Sequence, residues 1–153
     1  MTTFAYPLNV RRAEPGLVPD PARVNSTGKV PFYLQRKVSV GDTGTAVGST
    51  TIPLFVAPAG SRPWDCVLDV ITAFDPGVGT TQTNLRVGTA TSTGIIFATT
   101  TVNTVGRREA AETGAQVSAL AITFTADTTI QAIVSIDTSA VTAGEVLITA
   151  ILI

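Results

Sequence analysis

The run from Trp64 to Phe74 constrains the fold more than any other stretch. Trp64, Cys66, Leu68, Val70 and Phe74 fall on alternate positions, interrupted at Thr72. A period of two places alternate side chains on one face of a sheet, so this run reads as a half-buried strand. Asp65, Val67, Asp69, Ile71 and Ala73 take the opposite face. Asp75-Pro76-Gly77 then stops the strand, because Pro fixes φ and Gly admits positive φ.

The same β character continues on both sides. Phe32–Val40 reads as a first strand, followed by a turn cluster at Gly41-Asp42-Thr43-Gly44. Thr51–Ala57 reads as a second, and Pro53 places it at a sheet edge, because Pro cannot donate to a ladder. Asn84–Thr89, Ile95–Ala98, Val117–Phe124, Thr129–Ile136 and Glu145–Ile153 follow as further strands. Gly106–Gly114, rich in Ala and Glu between glycines, is the one place where a helical turn is expected. About eight short strands separated by turns predict an all-β fold, an antiparallel β-sandwich or jelly roll.

The last two strands are apolar on both faces. Val146, Ile148, Ala150 and Leu152 oppose Leu147, Ile151 and Ile153. Two-sided apolar strands are central in a covered sheet, or face another subunit. Trp64, Leu68, Val70, Phe74, Leu147, Ile151 and Ile153 are therefore expected in the core or at an oligomer interface. Charge is sparse: 14% of the 153 residues are charged and 44% are hydrophobic, while typical domains carry roughly 25% charge. The chain holds 26 threonines, a residue suited to half-buried strands.

Residues 1–30 differ from the rest. Pro7, Pro15, Pro19 and Pro21 exclude helix and central strand. Phe4, Tyr6, Leu8, Val10, Leu17 and Val18 are interspersed with Arg11, Arg12 and Arg23, an apolar density above that of disordered tails. This segment reads as an extended N-terminal arm that orders against a partner, ahead of a β-sandwich domain over residues 31–153.

Chemistry is nearly silent. The chain has no histidine, which removes Ser-His-Asp and Cys-His catalysis and most transition-metal sites. Its one cysteine, Cys66, cannot form an intramolecular disulfide and reads as a buried thiol. Asp65 and Asp69 share a strand face about 13 Å apart at 3.3 Å per residue, too far for a paired-acid or single-ion site. Asp75-Pro76-Gly77-Val78-Gly79 lacks the Lys-Ser/Thr of a phosphate loop and reads as a turn. No cofactor, no metal and no catalytic residue is assigned, and the chain is read as a non-enzyme. A net charge of −1 gives no field toward nucleic acid or an anionic membrane, and no apolar run is long enough to span one. The N-terminus lacks a signal-peptide pattern, which sets the expectation of a chain made in a cytoplasm.

Three phrases carry a resemblance: Val70-Ile71-Thr72-Ala73-Phe74, then Leu85-Arg86-Val87-Gly88-Thr89, then the closing Thr142-Ala143-Gly144-Glu145-Val146-Leu147-Ile148. Over about residues 64–153 the chain is similar to small β-sandwich structural proteins of tailed bacteriophages. These serve as capsid decoration or cement proteins, head-fibre bases, and tail or fibre modules. The resemblance implies a virion component that forms a homo-oligomer, a trimer by preference, and docks on the major capsid protein or another virion protein. A tail, collar or fibre module is the alternative within that class. A carbohydrate-binding sandwich is the alternative outside it, and would need exposed aromatic residues on a face or loop.

Overall fold

The computed structural model describes residues 31–75, 82–110 and 122–153. The arm residues Phe4, Tyr6, Leu8, Val10, Arg11, Arg12, Leu17, Val18 and Arg23 lie outside the described residues. Residues Tyr33–Leu152 form one compact unit.

Among the described residues the strands and the helical turn α1 follow in this order: β1 (Phe32–Ser39), α1 (Val40–Thr43), β2 (Gly48–Ala57), β3 (Pro63–Asp75), β4 (Thr83–Gly88), β5 (Phe97–Thr101), β6 (Gly106–Glu109), β7 (Thr128–Ile136) and β8 (Ala143–Leu152). They make two four-stranded sheets, ordered β1-β8-β3-β6 and β2-β7-β4-β5. The ladders β2–β7, β3–β6, β3–β8, β4–β5 and β4–β7 are antiparallel. Strand one neighbours eight, two neighbours seven, three neighbours six and four neighbours five. That nesting is a long hairpin rolled over on itself, the jelly roll. Pro53 does sit on an edge strand, as its missing donor requires.

The core fills the space between the sheets. Cys66, Leu68, Val70 and Phe74 of β3 meet Leu85, Val87, Ile130, Ala132 and Val134 of the other sheet, all buried. In β8, Val146, Ile148, Ala150 and Leu152 are buried and alternate with partly exposed Leu147, Thr149 and Ile151. The alternation expected of β8 is present residue by residue.

Trp64 departs from the expected face. Pro63 pairs with Leu152 and Asp65 with Ile151, so Trp64 is the extra residue of a β-bulge. A bulge inverts side-chain parity: Pro63 turns inward and Trp64 outward, 43% exposed. A second register shift between Val70 and Thr72 turns Thr72 outward beside Ile71, which stays on its expected face, 50% exposed. A third, between Thr72 and Asp75, returns Phe74 to the core. The break in alternation at Thr72 is thus the mark of paired bulges.

Local propensity was overruled in three places. The turn cluster after β1 closes as helical turn α1, because Ser39 caps it. The Ser39 side chain accepts from Gly41 N at 3.2 Å, and Ser39 N donates to Asp42 Oδ2 at 2.9 Å. Of Gly106–Gly114, where a helical turn was expected, Gly106–Glu109 form strand β6, because pairing with Val67–Val70 outweighs a weak helical preference, while Ala110 has helical backbone. Residues 111–114 of that expected turn lie outside the described residues. Of the expected strand Val117–Phe124, residues 117–121 also lie outside them. Ile122–Phe124 are irregular, held where Phe124 N donates to Ser61 O and its carbonyl accepts from Gly60 N.

Burial raises the Cys66 thiol from its ordinary 9.0 to about 12, with the Asp65 carboxylate beside it adding to the shift. The thiol is therefore expected to stay silent to a disulfide exchange reagent at pH 8 until the protein unfolds, and to react at once in denaturant. The unfolded chain ionises first, so this group stabilises the fold fully below pH 9 and loses that contribution between pH 9 and about 12. Urea midpoints of Cys66→Ala should fall less steeply than wild type across that window; parallel slopes would refute the assignment.

Candidate interaction surface

The two sheets differ sharply in chemistry. The strands of β2-β7-β4-β5 contain one ionisable side chain, Arg86. Their outward positions are chiefly hydroxyls and amides, with rows such as Ser49–Ser135–Asn84–Thr101. Ser49 and Ser135 share a hydrogen bond of 2.6 Å across the ladder.

The outer face of β1-β8-β3-β6 is built from bulky apolar groups and paired charges. Gln35 Nε2 donates to Thr149 Oγ1 at 2.8 Å, which fixes β1 against β8 and sets Tyr33 level with Ile151. Ile151 in turn pairs with Asp65, next to the bulged Trp64. Tyr33, Ile151 and Trp64 thus lie across one end of the face, with Tyr33 68% exposed. Leu147 pairs with Asp69 nearer the other end, and Ile71 stands beyond it. Lys37 Nζ meets Glu145 Oε2 at 2.5 Å. Arg107 reaches Asp69 at 3.8 Å and Glu109 at 3.2 Å. Each pair is exposed and contributes little stability, in the range of about 0–1 kcal/mol.

Of the residues expected in core or interface, Leu68, Val70 and Phe74 are buried between the sheets. Leu147, Ile151 and Trp64 belong to this outer face. Ile153, just past β8, is buried. Asp65 and Asp69 stay separate: Asp65 Oδ1 accepts from Cys66 N at 2.7 Å while Asp69 faces Arg107. Among the described residues no cluster of three or more Cys, Asp or Glu could hold a metal. No helix among them is long and apolar enough to cross a membrane.

Sequence reasoning missed Tyr33 and Asn103. Tyr33 stood only within the first expected strand, and it is exposed on the outer side of β1, an edge strand. Asn103 ties one pole of the sandwich together. Its Oδ1 accepts from Thr83 N at 2.8 Å and Thr101 Oγ1 at 2.9 Å, and its Nδ2 donates to the Phe74 carbonyl. At the other pole, a shallow cavity of about 510 Å³ is lined by hydroxyls of Thr89, Thr91, Ser92 and Thr125, with Asp127 at its side. Its one aromatic lining residue, Phe124, is buried, so it offers no stacking platform for a sugar ring.

No protein-family model and no curated protein matches the sequence. Solved structures do. A chain in the capsid asymmetric unit of cyanophage Pam1 aligns with a TM-score of 0.62 at 20% identity, covering 91% of this chain and 98% of that one. One in the capsid of Ralstonia phage GP4 aligns at 0.55 and 19% identity, covering 90% of both. One in the acid-stable capsid of Helicobacter pylori bacteriophage KHP30 aligns at 0.54 and 13% identity, covering 81% of this chain and 87% of that one. At these identities the likeness establishes a shared fold.

Proposed function

We propose that this protein is a structural, non-catalytic component of a bacteriophage particle. Within that class it acts as a capsid decoration or cement protein, or as a head-fibre base. It forms a homo-oligomer, a trimer by preference, through its β domain, and docks on the major capsid protein through residues 1–30. The observation that carries this reading is the fold: the rolled hairpin of β1 to β8 matches chains in three phage capsids over 87–98% of their lengths. Low charge and two-sided apolar strands support it, since protein partners account for a surface that water does not need to solvate.

The arm supplies the test. Residues 1–30 hold four basic and two acidic side chains, whereas residues 31–153 hold six and nine. The arm thus carries Arg11, Arg12 and Arg23 together with its apolar groups, while the domain is net acidic. A chain starting at Lys29 is expected to fold with an unchanged urea midpoint, yet to lose at least about 100-fold in affinity for particles assembled without this protein. Normal decoration by the truncated chain would sink the arm assignment. Labelling on the tail instead of the head would move the protein to the tail, collar or fibre alternative.

A further inference from the structure

We infer that the outer face of the β1-β8-β3-β6 sheet is the surface on which a second copy of this chain packs. The inference rests on the homo-oligomer proposed above and names the surface that forms it.

Three features single this face out. The first is its large exposed apolar groups. Tyr33, Trp64 and Ile71 all stand on it, with Leu147 and Ile151 half-buried between them. The opposite sheet shows Val56 on an edge strand amid hydroxyls and amides. Aromatic side chains beside aliphatic ones are the usual anchors of protein interfaces.

The second is charge. A partner of one sign is called for where a face carries unpaired charge of the other. Here Lys37 meets Glu145, and Arg107 meets both Asp69 and Glu109. Asp65 accepts from the backbone of Cys66. With its charges engaged in place, the face can approach a copy of the same net-acidic domain without strong repulsion, and needs no basic partner.

The third is size. The four strands are 8, 10, 13 and 4 residues long, and at about 3.3 Å per residue and about 4.8 Å between strands they cover on the order of 550 Å² in projection. A standard interface buries about 800 Å² per partner. This face, with the edge of β1 beside it, is of the size that a stable contact between copies needs.

The experiment is mass in solution, by light scattering coupled to size exclusion, on the full chain. Tyr33→Arg/Ile71→Arg places a cation at each end of the face, at positions exposed enough to leave folding unaffected. Val56→Arg is the control on the other sheet. Wild type and Val56→Arg are expected to elute as the same oligomer, and the double variant as a monomer at the same concentration, a weakening of at least about 100-fold. Should the double variant unfold, Tyr33→Arg alone carries the same expectation. A wild-type chain that is monomeric at 100-fold higher concentration, or a folded face variant that keeps the oligomer mass, overturns the inference. Particle binding by wild type is measured separately. Its loss would strike the virion reading while leaving the self-contact standing, and the reverse result would strike only the self-contact.

Discussion

Gly144→Ala is expected to cost about 4 kcal/mol or more, enough to unfold a domain of ordinary stability at 37 °C. Gly144 opens β8 where that strand passes behind the core ring of β3. A Cβ built there would stand 2.3 Å from Phe74 Cγ and 2.4 Å from Cδ1. Real carbon contacts do not approach so closely, so ring or strand must shift. Phe74 is fully buried, and close-packed interiors transmit such shifts as strain instead of absorbing them. The register shift between Thr72 and Asp75 that turns Phe74 inward depends on the same empty space. A double-mutant cycle gives the sharp test. Phe74→Leu should destabilise the wild-type chain, yet recover part of the loss in the Gly144→Ala background, with a coupling of about 1 kcal/mol or more. Strictly additive urea midpoints would show that the ring is not the obstacle.

Asn103→Ala is expected to cost about 3 kcal/mol, although the residue lies in a short connection. Three strands end around it. Val102 N donates to Thr83 O at 2.9 Å, and Phe74 N donates to Val102 O at 3.0 Å. The Asn103 side chain completes the junction by satisfying Thr83 N, Thr101 Oγ1 and the Phe74 carbonyl. Truncation leaves Thr83 N and the Phe74 carbonyl without these partners, at roughly 1–3 kcal/mol for each buried group left unsatisfied. Asn103→Asp keeps the acceptor and loses the donor. At neutral pH it sets a carboxylate against the Phe74 carbonyl, so the protonated form is the one the fold favours. The carboxyl pKa is then raised, and the variant should gain stability as pH falls through that range, while wild type does not. Equal acid profiles for Asn103→Asp and wild type would remove Asn103 from the junction.

The class of the fold and the inward set of most strands were legible in the residues alone. Cys66, Leu68 and Val70, and the alternation of β8, were legible because a pleated strand between core and solvent needs a period of two. Pro53 announced an edge because its missing N–H cannot serve a central ladder. The absence of histidine set aside whole classes of chemistry, since those mechanisms have no substitute for its near-neutral pKa.

Which strands pair, and which way Trp64 and Thr72 face, came from contacts between strands far apart in the chain. Pairing is a long-range choice, and strand one finds strand eight more than a hundred residues away. Bulges are register mismatches between two strands, so one strand's sequence shows at most a hiccup, as at Thr72. Gly106–Glu109 became a strand because β3 offered it an edge, a fact absent from its own composition. The interaction surface emerged in the same way. Tyr33, Trp64, Ile71, Leu147 and Ile151 are scattered along the chain, and the rolled hairpin with its bulges gathers them onto one face.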